Sequence, residues 1–356
     1  MRIMLVTKKY VPAAGGAERS AHALLLTAAE MGHQVEAVVQ THQKYAGPGS
    51  GVVRVGPVSV RQIQDEDEVR EAIMLDKVPD MIFTQIDWNR TAVRIAREQG
   101  IPVVHFSRVG DLNPEADFQV FNSSFVRGTW LPTYPDLESC SVILHPTIRR
   151  DELGPFQPGG PAVLAVNPVR AKGGLMLRAI AKAMPDTPFV GTLGWCDPLS
   201  DGVDLGSLPN VRLVTPEDGI ARLAAGCFAL AMPALWDEPF GRVIVEAMGL
   251  GLPVVAIRRG GIPEAMGRVG VLVEPDAGVD AWVTALRALQ SRGECYRREQ
   301  EAGLDRAARY VTECDPVPLL RRLQVLRREY RGPRPVIGPP APYVNGEWFL
   351  NLNERV

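Results

Sequence analysis

Glu238 and Glu246 are separated by seven intervening residues in the run Trp236-Asp-Glu-Pro-Phe-Gly-Arg-Val-Ile-Val-Glu246-Ala-Met. Phe228–Ala231 reads as a strand, Pro239 starts a turn, and a helix opens near Gly241. Free N–H groups and the positive dipole end at such a helix start suit a phosphate. A carboxylate only accepts hydrogen bonds, so one ahead of the helix and one inside it suit vicinal hydroxyls flanking a diphosphate. The blander alternative is an exposed residue at the helix start and a solvated one further in. Against it, Glu246 lies within VIVEAM, where an unpaired carboxylate would be costly.

The elements that must position these residues alternate through most of the chain. Short apolar runs (Arg2–Thr7, Gln34–Val39, Asp80–Gln85, Ile101–Phe106, Phe118–Asn122, Ser141–His145) alternate with helical patterns over Ala17–Met31 and Arg90–Gln99. After the Pro/Gly-rich stretch Asp151–Pro161 the rhythm restarts at Ala162–Val166 and runs to a helix over Val279–Gln290. Continuous apolar strands between helices mean parallel sheets buried on both faces. The fold class is therefore α/β, with two Rossmann-like domains facing across a cleft: 1–155, 156–330, and a Pro-rich tail over 331–356. Ligands in such sheets bind beyond the carboxyl ends of the strands. Leu319, Leu320, Leu323, Leu326 and Tyr330 share one helix face. The favoured reading is a terminal helix crossing back to the N-terminal domain; peripheral membrane contact is less favoured.

Composition narrows the function classes. With 356 residues, two domains are expected. A net charge of −2 argues against nucleic-acid binding. Five scattered cysteines, Cys140, Cys196, Cys227, Cys295 and Cys314, lack CxxC spacing, which fits a reducing compartment. There is no signal-peptide pattern and no run of about 18 apolar residues, so a cytoplasmic location without a transmembrane segment is expected. No Asp-x-Asp and no His/carboxylate cluster with ligand spacing appears, so neither metal nor cofactor is expected.

The Glu238-x7-Glu246 run, with Pro239, Phe240, Gly241 and Gly251-x-Pro253-Val-Val, resembles the signature of family 4 glycosyltransferases. Gly260-Gly261-Ile-Pro-Glu264 and the opening Gly15-Gly16-Ala-Glu18 are similar to that family's neighbouring motifs. The resemblance extends to about Gln290 and implies a retaining enzyme of GT-B fold with a nucleotide-sugar donor. It implies that Glu246 binds ribose hydroxyls and Glu238 the transferred sugar. Backbone N–H groups at Phe240, Gly241 and Arg242 would meet the diphosphate or the sugar. Gly15 and Gly16 would let the first loop approach the phosphate.

The family's phosphate grip is a Gly-Arg pair with Lys-Gly five residues after the Arg. Here Lys172-Gly173 is present, but the Gly-Arg position reads Val166-Asn167, placing Asn167 at the donor site with Arg170 expected to supply the missing charge. Such fixed cations stabilise a departing diphosphate without a metal. The family's His near the sugar has its counterpart in His105, three residues early, with Arg108 at the usual place. His105 is read either as catalytic or as a core residue. Thr84, Gln85, Arg108 and Asp111 are expected on the acceptor side.

The expected activity is transfer from a nucleotide-diphosphate sugar, with UDP as the expected nucleotide, to a hydroxyl of a small-molecule or oligosaccharide acceptor. The short chain, the arginine-rich composition (six of 39 basic residues are lysine) and the NPxxxKGG variant resemble small actinomycete enzymes of antibiotic tailoring, such as those of avilamycin-type pathways. Alternatives are a cell-envelope or exopolysaccharide enzyme with a lipid-linked acceptor, a phosphorylase or epimerase on the same architecture, and a non-catalytic sugar-nucleotide-binding protein. A nicotinamide dehydrogenase is disfavoured because KKYVPAAGGAERS lacks G-x-G-x-x-G.

Overall fold

The computed structural model describes residues 1–12, 15–40, 52–63, 67–74, 77–86, 89–153, 159–194, 197–215 and 220–336. Residues 154–158 of the expected linker and 337–356 of the expected tail lie outside them. The chain forms two compact units, dividing between Thr147 and Ile148 and again between Glu313 and Cys314. The first division precedes the 155/156 boundary read from the sequence. Residues Arg150–Glu152 already form a 3-10 turn, and Glu152 and Leu153 contact groups of the second unit.

The first unit carries β1 (Arg2–Thr7), α1 (Gly16–Glu30), β2 (Gln34–Gln40), β3 (Val52–Val55), β4 (Val58–Ile63), α2 (Asp67–Met74) and β5 (Met81–Gln85). It continues with α3 (Asn89–Gln99), β6 (Val103–Ser107), β7 (Phe118–Phe121), α4 (Ser124–Trp130), α5 (Leu137–Cys140) and β8 (Ser141–Ile143). Its sheet has the order β3-β4-β2-β1-β5-β6-β7-β8. All neighbours are parallel except the β3/β4 hairpin. That hairpin escapes a search for continuous apolar runs, because β3 and β4 expose alternate residues. One face of the sheet buries Leu24 and Leu25 of α1. The other buries Val69 and Ile73 of α2 with Val93 and Ala96 of α3. Burial on both faces explains why β5 and β6 read as unbroken apolar strings.

The second unit carries β9 (Ala162–Val166), α6 (Gly174–Ala183), β10 (Phe189–Thr192), β11 (Val211–Val214), α7 (Ala221–Ala224), β12 (Cys227–Met232) and α8 (Arg242–Gly249). After these come β13 (Val254–Ile257), α9 (Ile262–Met266), β14 (Val271–Val273), α10 (Gly278–Gln290) and α11 (Glu294–Glu313). Its parallel sheet has the order β11-β10-β9-β12-β13-β14. The strand order reverses between β9 and β12, so the chain leaves these two strands toward opposite edges of the sheet and their carboxyl ends mark its switch point.

The last helix, α12 (Val317–Glu329), belongs to the first unit. Leu319, Leu320 and Leu323 enter that unit's core and Leu326 packs against it, while the Tyr330 hydroxyl donates to Asp117 Oδ2 at 3.3 Å. The apolar face that raised the membrane alternative is thus used within the protein. Among the described residues no helix is long and apolar enough to cross a membrane.

Candidate functional site

The loops leaving β9 and β12 are joined by their backbones. Leu235 N and Trp236 N both donate to Ala171 O, at 2.9 and 3.1 Å. Gly173 has φ +81°, and a Cβ there would collide with the Pro233 carbonyl; at Gly174 it would collide with the Pro168 carbonyl. The Gly-Gly pair is therefore required by chain-to-chain approach, whatever a ligand also asks of it.

This junction brings Lys172 to Glu238. Lys172 Nζ donates to Glu238 Oε2 in a short ion pair and sits 4.4 Å from the centroid of the Trp236 ring, a cation–π distance. Glu238 is buried. Its loop is braced from below by the Gly260-Gly261 turn, where Gly261 N donates to Glu238 O at 2.7 Å. A Cβ on Gly260 would lie 2.6 Å from that same oxygen. Arg259 Nη1 donates to Leu235 O at 2.9 Å and ties β13 into the same loop. The motif residues Gly260 and Gly261 thus position Glu238.

Gly241, at φ +93°, caps α8 without a side-chain hydrogen bond. Phe240 is buried beside Tyr310, ring centroids 5.6 Å apart, so its side chain is not open to a ligand. Arg242 opens the helix and Arg242 Nε donates to Glu246 Oε1 at 2.7 Å, while Nη2 pairs with Glu152 Oε2. Burial alone would lower the Arg242 pKa. The Glu246 and Glu152 carboxylates more than offset it and hold the pKa above its ordinary value. Glu246 is buried, against the solvated alternative, and Arg242 is a partner that offsets the cost of burying its carboxylate.

Asn167 sits at the carboxyl end of β9 with φ +52°. Its side chain is buried, and neither Oδ1 nor Nδ2 hydrogen-bonds to a described residue. Arg170 is not drawn into the Lys172–Glu238 group. It is exposed, its N donates to Asp201 Oδ2 at 2.5 Å, and its guanidinium reaches the turn at Gly202. The expectation that it replaces the missing phosphate-binding arginine is not met by this geometry. Gly15 and Gly16 are exposed, and a Cβ added at Gly16 would make only ordinary contacts.

The first unit gathers its own polar cluster at the carboxyl ends of β5 and β6. His105 is fully buried, with Nδ1 3.0 Å from Thr84 Oγ1 and Nε2 2.9 Å from Asp111 Oδ2. Both nitrogens face protein groups, which favours the core reading of His105 over the catalytic one. Asp111 Oδ1 also accepts from Arg108 N at 3.0 Å and Val109 N at 3.2 Å. Burial pushes its carboxyl up, but His105 and these two N–H groups outweigh burial and hold it below the usual range. Arg108 Nε donates to Gln85 Oε1 at 3.3 Å, and its guanidinium lies 5.1 Å from the Phe106 ring centroid.

Sequence reasoning missed four residues here. Glu18, inside the quoted opening motif, is buried; burial raises its pKa against the opposing charges of Lys9 and Arg108. Trp236 and Arg259 flank motifs without matching them, and Glu152 was hidden in a stretch read as linker.

Residues 176–292 match the family model described as Glycosyl transferases group 1. A D-inositol 3-phosphate glycosyltransferase of Corynebacterium kroppenstedtii is 36% identical over 111 residues, 30% of this chain and 24% of that protein. The sulfoquinovosyl transferase SQD2 of Arabidopsis thaliana is 30% identical over 189 residues, 50% of this chain and 35% of that protein. The chain therefore spans about a quarter to a third of the length of these curated relatives. Among solved structures, a glycosyltransferase from Rickettsia africae superposes with a TM-score of 0.71 at 14% identity, covering 92% of this chain and 98% of that one. Anabaena Alr3699/HepE in complex with UDP and glucose gives 0.69 at 16%, covering 92% and 100%. AviGT4, a glycosyltransferase involved in avilamycin A biosynthesis, gives 0.59 at 18%, covering 89% and 97%. At these identities the likeness establishes the fold, two Rossmann-like domains of GT-B type, and leaves function to the site.

Proposed function

We infer that this chain, whose residues 176–292 match the model for group 1 glycosyltransferases, transfers a sugar from a nucleotide-diphosphate donor to an acceptor hydroxyl. The observation that carries the reading is the Lys172–Glu238 pair at the β9/β12 switch point, with the uncapped start of α8 beside it. A cation, a helix N-terminus and a carboxylate at one place match a diphosphate bonded to a sugar.

Lys172 and the α8 N–H groups receive the diphosphate, Glu246 the ribose hydroxyls, and Glu238 the hydroxyls of the transferred sugar. Asn167, with donor and acceptor atoms both available, is a further donor-side contact, and Gly15 and Gly16 admit the phosphate. The bond from the anomeric carbon to the diphosphate oxygen breaks, the bond to the acceptor oxygen forms, and the acceptor proton is released. Charge gathers on the diphosphate as its bond breaks, so fixed cations act most strongly there. Thr84, Gln85, Arg108 and Asp111 serve the acceptor, with Arg108 the group to reach it.

UDP is the expected nucleotide and retention the expected stereochemistry, without a metal or other cofactor. The UDP and glucose bound by HepE are in keeping with that nucleotide, and the antibiotic-tailoring reading rests on the resemblance of the sequence. The cytoplasm is the expected location. The test is NMR of the first-formed glycoside, made in the presence of EDTA. Retained anomeric configuration is expected; an inverted product, or activity abolished by EDTA and restored by Mg²⁺, contradicts the reading.

A further inference from the structure

We propose that Glu152, just inside the second unit, is a positioning residue that acts through Arg242 to keep Glu246 fit to bind the nucleotide. The proposal rests on the ribose-binding role given to Glu246 above.

Arg242 occupies the first position of α8, where the helix dipole disfavours a cation, and its side chain is only 5% exposed. A buried arginine needs compensation, and two carboxylates supply it. Nε holds Glu246 Oε1 and Nη2 holds Glu152 Oε2. Glu152 is itself fixed. Its Oε1 accepts from Arg149 N at 2.9 Å, and Glu152 N donates to Arg149 O at 3.0 Å. The next residue, Leu153, fills the space beside Gly249, where a Cβ would lie 2.6 Å from Leu153 Cδ2. The turn that carries Glu152 is thereby held to both ends of α8.

Sharing one guanidinium between two carboxylates leaves the trio with one net negative charge. Without Glu152, more of the arginine's charge would fall on Glu246, and its planar fork is suited to gripping both oxygens of one carboxylate. Glu246 would then be a neutralised and occupied acceptor, and ribose hydroxyls would bind it more weakly. Glu152 touches no substrate in this scheme; it sets the charge and orientation of the residue that does.

The test uses the full chain and whichever of UDP, GDP, ADP and dTDP binds the wild type most tightly. Its Kd is measured by calorimetry for the wild type, Glu152→Gln, Glu246→Gln and the double variant, together with kcat and donor KM for donor hydrolysis. Glu152→Gln is expected to weaken nucleotide binding about tenfold and raise donor KM with kcat kept. It is expected to add nothing in the Glu246→Gln background. Where Glu152→Gln does not fold, Glu152→Asp, which keeps the charge but draws it back by one methylene, is expected to show a smaller rise in KM only. Wild-type affinity in the Glu152 variant with weakened Glu246→Gln overturns the positioning role and leaves the ribose role standing. Fully additive losses also overturn it. Wild-type affinity in Glu246→Gln, or no nucleotide binding at all, overturns both.

Discussion

Lys172 Nζ and Glu238 Oε2 form an ion pair across the point where the strand order of the second sheet reverses. A donor's diphosphate must therefore compete with Glu238 for the ammonium, and the sugar hydroxyls must compete with the ammonium for Glu238. Each half of the donor releases the group that the other half needs.

Lys172→Ala is expected to lower kcat about a hundredfold, as for loss of an oxyanion donor worth roughly 3 kcal/mol. Donor KM should change far less, because Glu246 still holds the nucleotide. Arg170→Ala, with its guanidinium at the Gly202 turn, should leave kcat within about twofold. Steady-state kinetics check both. A normal kcat with only a raised KM in Lys172→Ala would mean uniform binding of ground and transition states.

Glu238→Gln should separate sugar from nucleotide. The substitution frees Lys172 from its partner, so the nucleoside diphosphate alone should bind at least as tightly as to the wild type. Turnover should fall, because a charge-assisted bond to the sugar, worth roughly 1.5–3 kcal/mol, is weakened. Calorimetry with the diphosphate, beside kinetics with the donor, distinguishes the outcomes. Nucleotide affinity that falls with turnover would place Glu238 on the nucleotide instead.

Much of this site was legible because its demands are local. Glu238, Glu246 and Lys172 lie where strand, turn and helix follow each other in sequence, and period and turn chemistry locate such elements. What escaped depends on partners distant in the chain. The Arg242–Glu246 pair was within reach, since i,i+4 residues share a helix face, but Glu152 is brought in from 90 positions away. His105 could be read as core or as catalytic from the sequence, and the positions of Thr84 and Asp111, which favour core, come from other parts of the chain. The β3/β4 hairpin was lost because its strands alternate where strands such as β1, β5, β6 and β12 run continuous.

Gly173→Ala tests the junction of the two loops. The residue is at φ +81° and its Cβ would strike the Pro233 carbonyl. Left-handed strain of roughly 1–2 kcal/mol and overpacking of about 1–3 kcal/mol should add, and donor binding should weaken as Lys172 shifts. Gly278→Ala, at φ +67° with nothing within 4 Å, should show the strain alone. Denaturant midpoints for the two variants supply the comparison, and equal losses would remove the packing role.

Asp111 carries a pH signature. Its carboxyl is held below its ordinary value in the folded chain, so the stability it contributes is complete above the unfolded value of about 3.9. That contribution is lost as pH falls through the lower folded value. Asp111→Asn should cost roughly 2–3 kcal/mol at neutral pH, and the gap from wild type should close as pH drops below about 4. A gap that is constant with pH in thermal melts would show that His105 does not depend on the Asp111 charge.

The central claim is that the second unit binds a nucleotide sugar through Glu246 and Lys172. Thermal-shift titration of the wild type, Lys172→Ala and Glu246→Gln with UDP-, GDP-, ADP- and dTDP-sugars tests it most directly. Binding to the folded state at a hundred times Kd stabilises by about 2.7 kcal/mol. The wild type should be shifted by one nucleotide class, expected to be UDP, and Glu246→Gln much less at the same concentration. Lys172→Ala should fall between them. No shift with any nucleotide sugar, or equal shifts in all three proteins, would contradict the assignment of this site.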